Sequence, residues 1–221
     1  TADGSTEAYG IFANNSKGDG YSKVNFSGGL IDLSKISAVD RNKAVAVAVK
    51  DTDLKSAGDI NTAENGIVFY INGGNTNISG GTINLDKDNS IGLALQNIDT
   101  SGFTGTGAAF NIDGNGVILF HLKDSTGIKD DFTVNVASGS NYRYADMKNS
   151  SFTFDKSFSI EDNINLIVAE ASAVLLGSNS DISSAGTGNI GVYAKNKASA
   201  AVLSSLGVSD EITNKGKINL G

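Results

Sequence analysis

Short apolar runs recur along the chain, and each begins near a glycine and ends near an asparagine. The phrases "YGIFANN", "IGLALQN" and "IGVYAKN" occupy residues 9–15, 91–97 and 190–196. Apolar residues alternate with other residues within these phrases, which predicts β-strands and not the apolar spacing of a helix. Glycine permits a sharp corner before the strand, and asparagine tolerates a left-handed turn after it. The phrases therefore predict short strands separated by tight corners.

The predicted strands recur at a nearly constant spacing. After a first gap of 34 residues, the glycine-equivalent positions lie 22 to 26 residues apart: Gly10, Ala44, Gly66, Gly92, Gly116, Tyr142, Val168 and Gly191. A second apolar–polar–apolar phrase, such as "TINL" at 82–85 and "KINL" at 217–220, keeps the same period. Periods of this length are typical of solenoids. We predict an all-β fold, a right-handed parallel β-helix with three sides and about nine rungs, forming one domain over residues 1–221.

Two stretches interrupt the period. About ten extra residues fall near "ASAAVLSSLGV" at 198–208, which predicts an insertion that forms a short helix or a loop. The stretch "INLIVAEASAVLL" at 164–176 is rich in Ala and Leu, yet the period resumes on schedule at Gly191. We therefore interpret 164–176 as two strands and not as a helical excursion.

The strand register assigns side chains to the inside or the outside of the coil, because alternate residues of a strand point to opposite faces. The asparagines that follow the strands are expected to turn the chain and to stack as an amide ladder. The predicted inward pairs are Ile11 and Ala13, Val45 and Val47, Ile67 and Phe69, Leu93 and Leu95, Val117 and Leu119, and Val192 and Ala194.

Composition and charge narrow the possible partners. The chain has no Cys, no Pro and no Trp, but 27 Gly, and its formal net charge is −7. The absence of Pro suits paired strands, and the absence of Cys excludes disulfides and thiolate metal sites. Cationic residues are scattered, so neither nucleic acid nor an anionic membrane is an expected partner. No apolar run approaches the roughly 20 residues of a membrane-spanning helix, and no membrane insertion is expected. The pattern is under way at Thr1 and still running at Gly221, as expected of a segment of a longer protein.

The two phrases together resemble a known family. Gly-Ile/Val-x-Ala-x-Asn strands at 10–15 and 191–196 alternate with "GTINL" at 81–85 and "GKINL" at 216–220. This combination, in a Cys-free and Asn-rich chain, is similar to the passenger domains of type V autotransporters, above all the large fusobacterial outer-membrane adhesins. The resemblance implies an exported passenger segment at the cell surface, outside the outer membrane. It also implies adhesion to a protein or glycan of another cell.

Candidate catalytic residues are few. Asp130 and Asp131 in "IKDDF", with Asp124 nearby, form the densest acidic cluster, but neighbouring strand residues face opposite ways and a solvated corner explains them. His121 is the only histidine, and its alignment places it at the inward end of a strand, as a core-edge residue. Glycines at 105–107 and 186–191 lead into strands, unlike a phosphate-binding loop. No catalytic residue, cofactor or metal is therefore predicted.

A candidate binding surface is predicted from the outward positions. Aromatic side chains on one face can stack on sugars or contact a protein, unless a neighbouring loop covers them. Arg143, flanked by Tyr142 and Tyr144, adds a favourable contact composition. The candidate surface comprises Phe12, Tyr70, Phe120, Arg143, Tyr144 and Tyr193, and the apolar residues Val68 and Ile118 are predicted to face the same way.

Three functions follow from these observations. The first is a monomeric adhesin segment that binds a surface protein or glycan of another cell. The second is a passive β-helical spacer that holds a distal binding region away from the membrane. The third is a carbohydrate-active enzyme, because several parallel β-helices cleave polysaccharides with clustered acidic residues.

Overall fold

The computed structural model describes residues 8–15, 22–36, 44–184 and 186–220. These residues form parallel strands joined by short turns, with one helix, α1 (Ala200–Ser204). In chain order the strands are β1 (Ala8–Asn14), β2 (Ser22–Phe26), β3 (Leu30–Asp32), β4 (Ala44–Lys50), β5 (Thr52–Ser56), β6 (Asp59–Asn61), β7 (Ile67–Asn72), β8 (Thr76–Ile78), β9 (Thr82–Leu85), β10 (Ile91–Gln96), β11 (Phe103–Ile112), β12 (Val117–Lys123), β13 (Ile128–Lys129), β14 (Asp131–Val136), β15 (Tyr142–Lys148), β16 (Ser151–Phe154), β17 (Ser157–Ile160), β18 (Asn165–Glu170), β19 (Ala173–Leu176), β20 (Asp181–Ser184), β21 (Ile190–Lys195), β22 (Ile212–Asn214) and β23 (Lys217–Leu220).

The predicted all-β parallel solenoid is confirmed. One sheet, called here the first sheet, stacks eight strands in the order β1-β4-β7-β10-β12-β15-β18-β21, which is slightly fewer than the predicted nine rungs. The second side of the coil contains β2, β5, β8 and the start of β11, and the third side contains β3, β6, β9, the end of β11 and β14. Further along the chain, β13-β16-β19-β22 and β17-β20-β23 form two separate sheets.

The core consists of columns of side chains that repeat from rung to rung. The predicted inward positions around Gly10, Gly92 and Gly191 are correct, since Ile11, Leu93 and Val192 occupy one column. The complete column is Ile11, Val47, Phe69, Leu93, Phe120, Ala145, Ile167 and Val192.

The predicted register is only partly correct around Gly66 and Gly116. Phe69, Val117 and Leu119 are buried as predicted, whereas Ile67 and Phe120 are not on the predicted side.

Ile67, predicted to point inward, pairs with Ile91 in a half-buried column outside the core. The two residues that follow Ile67 in the chain, Val68 and Phe69, are both buried, although Val68 was predicted to face outward. Simple alternation of inward and outward side chains therefore fails at this point of β7 and β12.

The corner that follows the first sheet carries separate side-chain pairs and not the continuous amide ladder that was predicted. Asn97 Nδ2 donates to Asn72 Oδ1 at 2.8 Å, and Asn149 Nδ2 donates to Asp124 Oδ1 at 2.8 Å. Asn97 and Asn149 have φ of 54° and 49°, the left-handed turn that asparagine tolerates.

A continuous amide ladder crosses the third side of the coil, where the sequence pattern predicted none. Asn84 Nδ2 donates to Asn61 Oδ1, Asn111 Nδ2 to Asn84 Oδ1, and Asn135 Nδ2 to Asn111 Oδ1, at 2.8 to 2.9 Å. Each internal amide therefore both donates and accepts within the stack.

Both interruptions of the period have the predicted character. The stretch 164–176 contributes strands β18 and β19, as predicted. The insertion at 198–208 contains α1, whose first turn is capped because the Ser199 hydroxyl accepts a hydrogen bond from the Val202 N–H. Val202 is buried against Ala173 and Ala198, which anchors the insertion to the coil.

Each of the other two sides of the coil is interrupted at one place, and the two places lie one rung apart. β14 pairs with β11 and β17 pairs with β20, but β14 and β17 do not pair with each other. On the second side, β13 pairs with β16 and not with β11. Past the gap between β14 and β17, backbone pairing continues through β12 and β15 of the first sheet and through β13 and β16.

We expect Asn84→Ala to lower the free energy of unfolding by about 1–3 kcal/mol. The substitution removes the two part-buried hydrogen bonds of the side-chain amide, to Asn61 and from Asn111. Asn77→Ala is the matched control, since Asn77 is exposed on β8 and makes no side-chain hydrogen bond within the described ranges; its effect should stay within about 0.5 kcal/mol. Urea unfolding of both variants measures the difference. Equal losses would show that the ladder adds nothing to strand pairing.

Candidate functional site

The interruption between β14 and β17 opens a cleft in the wall of the coil. Three adjoining cavities of about 340, 600 and 230 Å³ follow it from the strand edges to the corner where β15 begins. One wall is formed by β14 and residues 139–143, and the other by β17 and residues 161–165. We call this feature the inter-strand cleft.

The floor of the inter-strand cleft is apolar. Val134 and Val136 belong to the inward row of β14, yet both are only partly buried against the core, since β17 does not pair with β14. Phe132 from the same row is buried, and its ring lies against Gly105, where an added Cβ would approach the ring atoms to 2.4 Å. The cleft therefore brings the unpaired edges of two strands next to partly buried side chains of the core.

A buried ion pair bridges the cleft at one end. Lys156 Nζ donates to Asp130 Oδ2 at 2.8 Å and to the Phe132 carbonyl oxygen at 2.9 Å. The Tyr144 hydroxyl donates to Asp130 Oδ2 at 2.8 Å. Because the Phe132 carbonyl has no strand partner across the cleft, the lysine supplies the donor that the missing ladder would provide.

Burial shifts the acid–base equilibria of this cluster. Burial raises the pKa of the Asp130 carboxyl, and the positive charge of Lys156 offsets that effect only in part. Burial, followed by the charge of Asp130, raises the pKa of Tyr144 well above its usual value. The carboxylate of Asp130 has no solvent exposure and does not reach the cleft surface, so the arrangement supports the fold and offers no acid or base to a ligand.

A second buried tyrosine lies beneath the middle of the cleft. The Tyr142 hydroxyl is buried and has no hydrogen-bond partner within the described part of the chain. Burial raises the pKa of Tyr142, and the negative charge of Glu161, on the opposite wall, raises it further. Tyr142 is therefore a neutral phenol next to an acidic rim.

Three asparagine side-chain amides line the cleft and donate no hydrogen bond to any residue that the structure describes. Asn141, Asn163 and Asn165 are exposed, and none of their side-chain nitrogens donates a hydrogen bond to another described residue. The Asn84 and Asn111 amides, in contrast, are engaged on both sides by the ladder. The cleft amides are consequently available as donors to a ligand, and each presents an acceptor oxygen as well.

The rim of the cleft carries excess negative charge. Asp131, Asp155, Glu161 and Asp162 line it, against the cations Lys156 and Arg143. Glu161 Oε2 accepts from the Gly139 N–H at 2.6 Å, which fixes the carboxylate on the rim.

Arg143 is itself neutralised, because its guanidinium is paired with Asp146. With Lys156 bound to Asp130, the exposed rim has a net negative charge.

The structure places the predicted surface residues in different environments. Phe12 and Tyr193 are exposed, at 61% and 48%. Tyr70 is half-buried, and its hydroxyl donates to Gln96 Oε1 at 3.3 Å. Arg143 lines the cleft.

The prediction that Phe120 and Tyr144 face outward is wrong. Both are fully buried, because β12 and β15 each have two consecutive buried positions, which the register counted from Gly116 and Tyr142 does not allow for. Tyr144 nevertheless contributes to the cleft from below, through its hydrogen bond to Asp130.

Two further expectations are corrected. His121 was predicted at the core edge, but it is exposed on β12, in register with Ala94 and Asp146. Asp130 and Asp131 do face opposite ways, but Asp130 is buried instead of solvated.

Asn163, Asn165, Glu161 and Asp162 line the cleft but are not among the sequence-predicted surface residues. The available signal was the loss of the glycine–asparagine phrase between residues 142 and 168, at the level where the strand pairing is interrupted.

No family model, curated protein or solved structure matches the chain. Within the described ranges, no helix is long and apolar enough to cross a membrane. The same residues contain no group of three or more His, Asp or Glu side chains arranged to hold a metal ion.

We expect Lys156→Met to lower the free energy of unfolding at pH 7 by about 3–5 kcal/mol, because it leaves the Asp130 carboxylate buried without its cation. The raised pKa of Asp130 sets the pH dependence. Protonated Asp130 stabilises the fold below the carboxyl's unfolded pKa, and this contribution is lost as the pH rises through the folded pKa. The deficit of the variant should therefore shrink as the pH is lowered.

Denaturant unfolding at pH values from about 3 to 8 measures this dependence, because a carboxyl group with a raised pKa titrates within that range. The double variant Lys156→Met with Asp130→Asn is the control, because it removes the buried charge. A deficit of the single variant that does not change with pH would contradict the assignment of the loss to Asp130.

Proposed function

We propose that the chain is an adhesin segment exposed at a cell surface and binds a protein or glycan of another cell through the inter-strand cleft. The observation that carries the proposal is the set of side-chain amides of Asn141, Asn163 and Asn165, which donate to no described residue, above an apolar floor. Ligand sites combine such apolar surface with a few convergent polar groups. The family resemblance of the sequence supports the same function.

An exposed aromatic side chain extends the proposed contact surface. Ile190 of β21 pairs with Asn165, next to the cleft, and Tyr193 follows on the same strand. Both side chains are exposed, at 41% and 48%. Exposed tyrosine next to amide donors suits contact with either a sugar ring or a peptide, because its ring is apolar and its hydroxyl forms hydrogen bonds.

A passive spacer is the second candidate function. Eight strands pair without interruption in the first sheet, and the amide ladder adds side-chain hydrogen bonds along the same axis. Such a stack resists bending and separates whatever lies at its two ends. The spacer function predicts no effect of cleft substitutions on cell binding.

We expect Asn165→Ala and Tyr193→Ser each to reduce binding of the isolated chain to target cells by about fivefold to tenfold, as for central contact residues. The melting temperature should change by less than about 2 °C, since neither side chain is buried. Flow cytometry with labelled protein measures binding, and Asn77→Ala is the matched control on another side of the coil.

The possible outcomes separate the candidate functions. Loss of binding with an intact fold supports the adhesin proposal. Binding that all variants retain, or that wild-type protein lacks, favours the spacer. Release of reducing ends from an acidic polysaccharide would instead support the enzyme alternative, so the same protein is incubated with polygalacturonate.

A further inference from the structure

We propose that the inter-strand cleft binds an extended, basic peptide segment of a partner protein as an added β-strand. The inference rests on the proposed function and names the class of partner for the same site. Four features carry it: the free edge of β14, the free edge of β17, the apolar floor and the acidic rim.

The edge of β14 that faces the cleft has unpaired backbone groups. Ala137 N–H donates to the Ile112 carbonyl on β11, and backbone groups of alternate residues point to the same side of a strand. The backbone groups of Asn135 therefore face β11, whereas those of Val134 face the cleft. The Phe132 carbonyl, on the cleft side as well, accepts its hydrogen bond from the Lys156 side chain.

The edge of β17 is free on the opposite wall. Asp181 N–H, at the start of β20, donates to the Lys156 carbonyl, so alternate residues along β17 direct their backbone groups to β20. Ser157 and Ser159 consequently direct theirs to the cleft. No backbone–backbone hydrogen bond joins β14 to β17 in the parts of the chain that the structure describes. Free strand edges of this kind bind extended peptides by strand addition.

Two features define where the peptide lies. The Lys156 bridge closes the cleft at the Phe132 end, so the added strand runs from Val134 towards residues 139–141, where the cavity is largest at about 600 Å³. Side chains on one face of that strand meet the apolar floor at Val134 and Val136.

Side chains on the other face of the added strand meet the acidic rim. Glu161 and Asp162 on the wall opposite β14 direct negative charge to this face, in a protein whose net charge is −7. Charge complementarity therefore favours lysine or arginine at alternate positions of the peptide. The sequence expected of the partner alternates apolar and basic residues.

The probe is a fluorescent peptide of about seven alternating valine and lysine residues, the length of an ordinary strand. Fluorescence anisotropy with the complete chain measures its affinity. We expect at least about tenfold weaker binding of the same peptide with backbone N-methyl groups on alternate residues, because strand addition depends on main-chain hydrogen bonds. An alternating valine and glutamate peptide should bind at least about tenfold more weakly, because of the acidic rim.

Two substitutions test the site. Val134→Pro removes an N–H that faces the cleft and leaves the β11 ladder intact, and it should abolish binding of the probe. Glu161→Gln removes a charge and keeps an oxygen that can accept from the Gly139 N–H, and it should weaken binding by about threefold or more. Asp113→Asn, at an exposed position with no side-chain hydrogen bond among the described residues, is the matched control. If circular dichroism shows that Val134→Pro does not fold, the comparison of Glu161→Gln with Asp113→Asn tests the site.

Equal binding of the N-methylated and unmodified peptides overturns strand addition. Equal binding by the Glu161→Gln and Asp113→Asn variants overturns the assignment to the cleft. Binding of neutral oligosaccharides in competition with target cells, without binding of the probe, overturns the peptide as partner and leaves the adhesin proposal standing. Binding of the probe without binding to cells supports the peptide site and contradicts the adhesin proposal.

Discussion

Backbone hydrogen bonding between stacked parallel strands is the constraint on which the rest of this structure depends. Each strand satisfies the N–H and C=O groups of the strands before and after it, so unpaired groups are confined to the ends of a stack or to a break within it. The first sheet pairs all eight of its strands, whereas the second side loses pairing between β11 and β13 and the third side, one rung further on, between β14 and β17. The inter-strand cleft is the direct consequence of that loss.

The break is stabilised by side chains that replace the missing strand contacts. Phe132 fills the space over Gly105, and Lys156 supplies a hydrogen bond to the Phe132 carbonyl. A lysine drawn towards the interior needs a counter-charge, which Asp130 provides, and the desolvated carboxylate accepts a second hydrogen bond from Tyr144. Buried ion pairs of this kind add little net stability compared with apolar packing, but removing one partner is costly. Lys156 and Asp130 therefore depend on each other, because each supplies the counter-charge that the other needs beside the interrupted strand pairing.

The period, the parallel strands, the corner asparagines and the insertion were all predictable, because they depend on local turn chemistry and spacing. The register was predictable only where glycine occupies the first of the two consecutive buried positions, as Gly92 and Gly191 do. Leu119 and Tyr144 occupy that position elsewhere, so the neighbouring Gly116 misled the alignment and Phe120 was assigned to the wrong face. The side chain that fits at this position depends on residues remote in sequence, since a Cβ added at Gly92 would approach the Leu119 carbonyl oxygen to 2.8 Å.

The cleft itself could not be predicted, because the role of an asparagine here depends on the rung beside it. Asn84 and Asn165 are the same residue type on strands of one solenoid. The Asn84 side chain is hydrogen-bonded within the ladder, since the next rung presents Asn111 in register. Asn165 instead pairs with Ile190, and its side-chain amide has no hydrogen-bond partner among the described residues. A regular solenoid therefore uses its polar groups internally, and groups become available to a partner where the repeat is irregular. The loss of the glycine–asparagine phrase between residues 142 and 168 marks that place, and the proposed binding site lies beside it.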